Sequence, residues 1–184
     1  MIVEPKAIRL PNGKSAVLRS AVPEDAEMLL RYMRITTSET PFLLRNPGEI
    51  RMTSEDEKRF LERIMGSPRE LMLLAEIDGA HAGNASLSSL GSLERCMHRC
   101  RLAVALYKDY WGLGLGHAML VELLETARRI GYEQAELQVC TENKRAIALY
   151  QKLGFSICGT LPHSMKYPDG QYADEYTMIR YLNV

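Results

Sequence analysis

Apolar positions in this chain follow two periods, and each switch between them marks an element. Ala-Ile-Arg-Leu and Ala-Val-Leu-Arg flank Asn12-Gly13, so a tight turn joins two short strands. Pro23 opens a helix whose buried stripe is Ala26, Leu29, Leu30 and Met33. Thr36 to Thr53 holds Pro41, Pro47 and Gly48 and reads as a loop. Ser54-Glu55-Asp56-Glu57 has the form of a capping box, with Phe60, Leu61 and Ile64 following on one helical face. Leu71 to Ile77 is a continuous apolar run, hence a buried strand, and Asp78-Gly79 turns it back into a strand over His81 to Leu90. His98 to Leu106 is the next strand, leading into a helix over roughly 114 to 130 that Gly131 stops. Gln134 to Cys140 is a strand. Asn143 caps a helix bearing Ala146, Leu149, Tyr150 and Leu153, closed by Gly154. Phe155 to Leu161 and Tyr172 to Tyr181 are the last strands, joined through Pro168-Asp169-Gly170. This order predicts an α/β (α+β) layered fold, a mostly antiparallel sheet with helices interspersed. Residues 1–184 are expected to form a single domain.

Composition narrows the function classes. Apolar residues make up 46% and charged residues 25%, an ordinary globular balance. Lys plus Arg and Asp plus Glu number 23 each, which argues against a partner bound by phosphate neutralisation, so no nucleic acid is expected. No apolar run approaches a membrane span, and the start lacks a basic stretch followed by an apolar one. The four cysteines, Cys96, Cys100, Cys140 and Cys158, have neither zinc spacing nor a strand geometry suited to a disulfide. They read as reduced thiols, and the expected location is cytoplasmic.

Residues 104 to 117, Val-Ala-Leu-Tyr-Lys-Asp-Tyr-Trp-Gly-Leu-Gly-Leu-Gly-His, carry the chemistry. A strand hands over to a helix N-terminus through Gly112, Gly114 and Gly116. Such a terminus presents unpaired N–H groups and the positive end of the helix dipole, which together suit a phosphate or pyrophosphate. A P-loop would need Lys-Ser/Thr where His117-Ala118 stands. A dinucleotide fold would need Gly-x-Gly-x-x-Gly on a first βαβ unit, whereas this Gly-x-Gly-x-Gly lies past mid-chain behind hairpins. A glycine-rich turn with no ligand is the remaining alternative, and three alternating glycines are costly unless backbone approach requires them.

Val104 to Gly116, together with Asn143-Lys-Arg-Ala-Ile-Ala-Leu-Tyr-Gln-Lys-Leu-Gly-Phe155, resembles the GNAT superfamily of acetyl-CoA-dependent N-acetyltransferases. Trp111 stands in the Gln/Arg slot of the Gln/Arg-x-x-Gly-x-Gly pattern. The second segment follows Asn-x-x-Ala-x-x-Leu-Tyr-x-Lys-x-Gly-Phe, and Tyr110-Trp111-Gly112 is similar to the branch of ribosomal-protein alanine acetyltransferases. The likeness spans most of the chain, with residues 36 to 70 and 86 to 100 matching in outline. It implies a mixed, mostly antiparallel central sheet flanked by helices, its central strands (98–106 and 134–140) splayed apart.

The resemblance implies acetyl-CoA as co-substrate. Its pyrophosphate would sit on the amides of Gly112, Leu113, Gly114, Leu115, Gly116 and His117, beside Trp111. Its pantetheine arm would pair with Val104, Ala105 and Leu106, the Leu106 N–H polarising the thioester carbonyl. Asn143 and Ala146 would contact the arm, and Tyr150 would protonate the leaving thiolate. No metal is needed for direct attack by an amine. The acceptor would be a small-molecule amine or a protein N-terminus, and dimers are common in the family.

The general base departs from the pattern. Relatives often read His-x-Ala-Glu-Leu-Gly where this chain reads His98-Arg-Cys-Arg-Leu-Ala103, so Arg101 fills the Glu slot and cannot act as a base. His98, Glu76 and Glu39 are candidates, as is a water chain, and Arg101 is a potential partner for an acidic group on the acceptor. Tyr172, Asp174 and Glu175 of the last hairpin border either the site or a partner subunit, or form a solvated surface. His81 and His163 read as structural or surface residues. A non-catalytic acyl-CoA sensor on the same scaffold is the second reading, and a nucleotide-binding protein the third.

Overall fold

The structure is a computed structural model and describes residues 1–182. Eight strands run in the order β1-β2-β3-β4-β5-β6-β8-β7. They are β1 (Lys6–Arg9), β2 (Ser15–Ser20), β3 (Leu71–Ile77), β4 (Ala80–Ser89), β5 (Arg99–Leu106), β6 (Gln134–Cys140), β7 (Ser156–Lys166) and β8 (Tyr172–Tyr181). The helices are α1 (Ala26–Glu39), α2 (Ser54–Gly66), α3 (Leu115–Arg129) and α4 (Lys144–Lys152). β5 pairs with β6 in parallel, and β1–β2, β2–β3, β3–β4, β6–β8 and β7–β8 pair antiparallel. The β5–β6 ladder runs from Arg99↔Gln134 to Arg101↔Glu136 and stops there, although both strands continue.

The chain divides into two compact units, Met1–Ser88 with Ala103–Leu123, and Ser89–Leu102 with Leu124–Val184. In the first, β1 to β4 are successive antiparallel neighbours, with α1 and α2 inserted between β2 and β3. Gly13 at φ +85 makes the first turn, and Asp78 and Gly79 at φ +53 and +76 make the third. Leu71, Leu73, Leu74, Ala75 and Ile77 are buried, as the unbroken apolar run of β3 requires. Leu29, Leu30 and Tyr32 of α1 and Leu61 and Ile64 of α2 cover the sheet. In the second unit Ala135, Leu137 and Val139 of β6 are buried with Met178 of β8, Tyr150 and Leu153.

Three boundaries differ from the sequence reading. The stretch from Thr36 is helical as far as Glu39, with the Thr36 and Thr37 hydroxyls accommodated by bonds back to the carbonyls of Tyr32 and Met33 at 2.9 and 2.7 Å. The capping box sits one residue early. Thr53 is the N-cap, its hydroxyl accepting the Asp56 N–H at 3.1 Å while Asp56 accepts the Thr53 N–H at 3.0 Å. Strand β7 runs on to Lys166 through a register shift that holds His163 at φ +53.

Candidate active site

The end of β5 is held by side chains that no local pattern reveals. Tyr32, 2% exposed, donates its hydroxyl to Ala105 O at 2.6 Å, and Trp111 Nε1 donates to Leu106 O at 3.0 Å. Tyr107 N–H bonds Ala82 O on β4 at 3.1 Å. Since successive residues of a strand address opposite edges, the Leu106 N–H is directed away from β4. Gly83 makes this packing possible. A Cβ there would lie 2.5 Å from Leu106 Cδ2, 2.6 Å from Ala105 O and 2.8 Å from Leu106 Cα.

A 3-10 turn, Lys108–Tyr110, then leads into the glycines. Glu39 Oε2 accepts the Lys108 N–H at 2.9 Å, so one of the three acid/base candidates caps this turn. Gly112 and Gly114 adopt φ +81 and +83, conformations in which a side chain is strained. Gly114 has a second reason to lack a Cβ, which would lie 2.8 Å from Cδ of Pro11. The first bond of α3 runs from Ala118 N–H to Gly114 O at 3.1 Å, and the preceding amides lie ahead of the helical ladder.

Glu76 lies opposite His81 on β3–β4 and accepts from Arg19 Nε at 2.8 Å. The other face of that guanidinium grips Asp25 through two bonds of 2.8 Å. Burial works against the Asp25 charge, but Arg19 and the Val22 amide outweigh it and hold the carboxyl below its usual range. His81 sits in an aromatic triad with Tyr32 and Tyr107, at 4.9 and 5.7 Å between ring centroids. Its Nε2 contacts Gly83 O at 3.0 Å, and burial lowers its pKa. It is therefore part of the packing around Gly83 rather than a surface residue.

In the second unit Asn143 is the N-cap of α4, its Oδ1 accepting from Ala146 N–H at 3.1 Å. The cap uses the side-chain oxygen and leaves the NH2 as a separate donor function. Tyr150 is 7% exposed, packs edge-on against Phe155, and burial pushes its phenol up to about 12. His98 is half-buried just before β5, and its carbonyl accepts from Glu133 and Gln134. Arg101 is exposed on β5 in register with Glu136, while Glu136 is buried against Arg99 and Gln134. Asp174 accepts the strained His163 amide at 2.8 Å and Glu175 accepts from Ser164, so both stabilise the β7 irregularity.

The first unit also contains a cavity of about 300 Å³ that the sequence reading missed. Leu29, Met33, Met52, Phe60 and Met72 line it, with Arg45, Asp56, Glu57 and Asn84. Its walls come from two helices, a loop and two strands, so no periodicity marks it. The polar Glu57 on an otherwise buried helical face is the one local signal.

The profile of the Acetyltransferase (GNAT) family matches residues 32–155, which include the Tyr32–Ala105 pair, the glycine turn and all of α4. The chain belongs to that family. A GNAT-family acetyltransferase of Streptococcus pneumoniae is 32% identical, with a TM-score of 0.86 over 90% of this chain and 99% of that one. The L-amino acid N-acyltransferase MnaT of Escherichia coli is 29% identical over 50% of this chain and 53% of its own length, so the match spans about half of that relative. The N-alpha-acetyltransferase RimI of Mycobacterium tuberculosis is 33% identical over 64% of this chain and 70% of its own length. The fold is also that of YncA from Salmonella typhimurium, a structure described with acetyl-CoA as cofactor, at 21% identity and a TM-score of 0.79.

Two positions depart from the motifs that the resemblance implies. Trp111, in the Gln/Arg slot, spends its indole N–H on Leu106 O and so fastens the turn to the end of β5. Arg101, in the Glu slot, is a solvent-facing cation. No helix among the described residues is long and apolar enough to cross a membrane, and no cluster of His, Cys, Asp or Glu there could hold a metal ion.

Proposed function

We propose that residues 1–184 act as one N-acetyltransferase domain moving the acetyl group of acetyl-CoA to a primary amine in a ternary complex. The observation that carries this reading is the strand–turn–helix of β5, Gly112–Gly116 and α3. Two of its glycines are at positive φ, and its amides precede the first helical bond. Those amides suit the diphosphate. In this reading Val104 to Leu106 offer an edge to the pantetheine arm, and the Leu106 N–H stabilises the oxygen of the tetrahedral intermediate. The neutral amine nitrogen attacks the thioester carbonyl carbon. A C–N bond forms, the C–S bond breaks, the nitrogen gives up one proton and the sulfur leaves as thiolate to receive one. Asn143 is assigned to the arm through its NH2 and Tyr150 to the thiolate, because a phenol at about 12 remains protonated.

Among the suggested bases, Glu76 and Glu39 are already bound, to Arg19 and to the Lys108 amide. With Arg101 in the usual slot, these facts favour a second reading, an acyl-CoA sensor without turnover. Measuring CoA release across a panel of amino acids, polyamines and peptides separates the two. Turnover on any of them, with kcat lowered by Tyr150→Phe, supports the enzyme. Saturable acetyl-CoA binding with no turnover on the whole panel supports the sensor.

A further inference from the structure

The cavity bounded by α1, α2, β3 and β4 has a chemistry that the acetyl-transfer reading leaves unused. Its walls are thioether and aromatic, from Met33, Met52, Met72 and Phe60. Asp56 is committed to Thr53 and Arg59 and is held near 2 by those bonds. Glu57 is different. It is 6% exposed, and among the described residues its carboxylate closes no hydrogen bond or ion pair within the chain. Burial raises its pKa, partly offset by Arg45. A largely buried carboxylate at the cavity wall, with the Arg45 cation near it but not bonded to it, is the kind of group a cationic ligand satisfies. Arg45 is exposed at the same cavity, with its guanidinium against Met33 Sδ at 4.0 Å and no ion pair to Glu57 among the described residues. The site therefore offers a buried anion, an exposed cation and a soft apolar wall.

We propose that this cavity holds the acceptor, and that the acceptor is a free α-amino acid with an apolar side chain. Glu57 meets its ammonium, Arg45 its carboxylate, and the methionines and Phe60 its side chain. This rests on the acetyl-transfer reading above. The cavity volume of about 300 Å³ is at the small end for ligand sites. At about 30 Å³ per water-sized group it takes about ten non-hydrogen atoms, and leucine or methionine has about nine. A polyamine would bring a further cation to Arg45, and a peptide N-terminus has no carboxylate there. Leu29, Met33 and Met72 of the cavity wall belong to the packed cluster that also contains Tyr32 and Ala105, so the cavity shares one hydrophobic cluster with the strand assigned to the thioester. Glu57 is then the group placed to take the proton that the ammonium loses before attack. The groups facing it are Arg45 from the loop, Asp56 on its own helix and the neutral Asn84 on β4.

The test compares leucine and methionine with isopentylamine, spermidine and an N-terminal peptide as acceptors, alongside calorimetry of acetyl-CoA. Leucine or methionine should give the highest kcat/KM. Arg45→Ala should raise KM for leucine about ten- to hundredfold and for isopentylamine, which has no carboxylate, by a clearly smaller factor, and Arg45→Lys should recover part of the loss on leucine. Glu57→Gln, which removes a buried charge without changing shape, should lower kcat/KM on both acceptors. Preference for spermidine or the peptide, or an equal effect of Arg45→Ala on leucine and isopentylamine, overturns the assignment. If acetyl-CoA does not bind, the transfer reading fails by itself. Calorimetric binding of leucine, weakened by Arg45→Ala, would still uphold the cavity as an amino-acid site, and absence of that heat would overturn it.

Discussion

Gly83→Ala perturbs the junction on which the chemistry is argued to depend. The added Cβ would lie 2.5 Å from Leu106 Cδ2, 2.6 Å from Ala105 O and 2.8 Å from Leu106 Cα. The leucine methyl can rotate away, but the other two atoms are backbone. Ala105 O is moreover pinned by Tyr32 at 2.6 Å, so relief requires β4 and β5 to part. Restoring ordinary van der Waals contact moves the strand by roughly 0.6–0.8 Å, and overpacking of this kind costs about 1–3 kcal/mol. For a chain of this size that lowers Tm by roughly 2–4 °C per kcal/mol. The displaced residues are the ones assigned to the thioester, and misplacement near 1 Å lowers turnover by up to about a hundredfold. The diphosphate amides of Gly112–His117 lie further along the chain, so acetyl-CoA affinity should change far less than kcat. Urea unfolding, calorimetry with acetyl-CoA and steady-state kinetics report the three quantities. Stability within about 0.5 kcal/mol of wild type together with unchanged kcat would refute the reasoning, since ordinary surface substitutions stay within that range.

Three further outcomes follow from particular contacts. Tyr32→Phe leaves Ala105 O without its buried donor and should destabilise by about 1–3 kcal/mol, read by urea unfolding, with a fall in kcat. Asn143→Ala removes the α4 cap and should cost about 0.5–2 kcal/mol, whereas Asn143→Asp keeps the cap, so a loss of acetyl-CoA affinity in both by calorimetry isolates the NH2. Asp25 has a folded pKa below its unfolded value of 3.8, so its contribution is complete above about pH 4 and fades as pH falls through the folded value; Asp25→Asn should be less stable at neutral pH, with the difference narrowing in acid melts.

What could be read from the sequence is what local chemistry decides. Asn12-Gly13, Asp78-Gly79, Gly131 and Gly154 mark turns because glycine takes positive φ at little cost, and β3 ends where its apolar run ends. Asn143 was legible as a cap for the same reason. The misreadings are places where a competing bond decides. Threonine at 36 and 37 looked like a helix end, yet its hydroxyls found carbonyls one turn back. The closing charges of β8 admit three readings in the sequence, a site border, a subunit border or a solvated surface, and their contacts add what it does not show: Asp174 and Glu175 accept from His163 and Ser164 of the irregular β7. Gly114 fits a phosphate cradle, but it is also required by Pro11, a hundred residues away in sequence order. The Glu57 cavity draws on five separate segments, and nothing in any one of them reports the others.

The most direct measurement is calorimetry of acetyl-CoA against an acetyl-pantetheine thioester truncated before the diphosphate. If the amides of Gly112 to His117 clasp that group, acetyl-CoA binds saturably at one site, binding weakens with salt, and the truncated thioester binds at least about tenfold more weakly. Equal binding of the two thioesters, or no heat with either, would contradict the assignment.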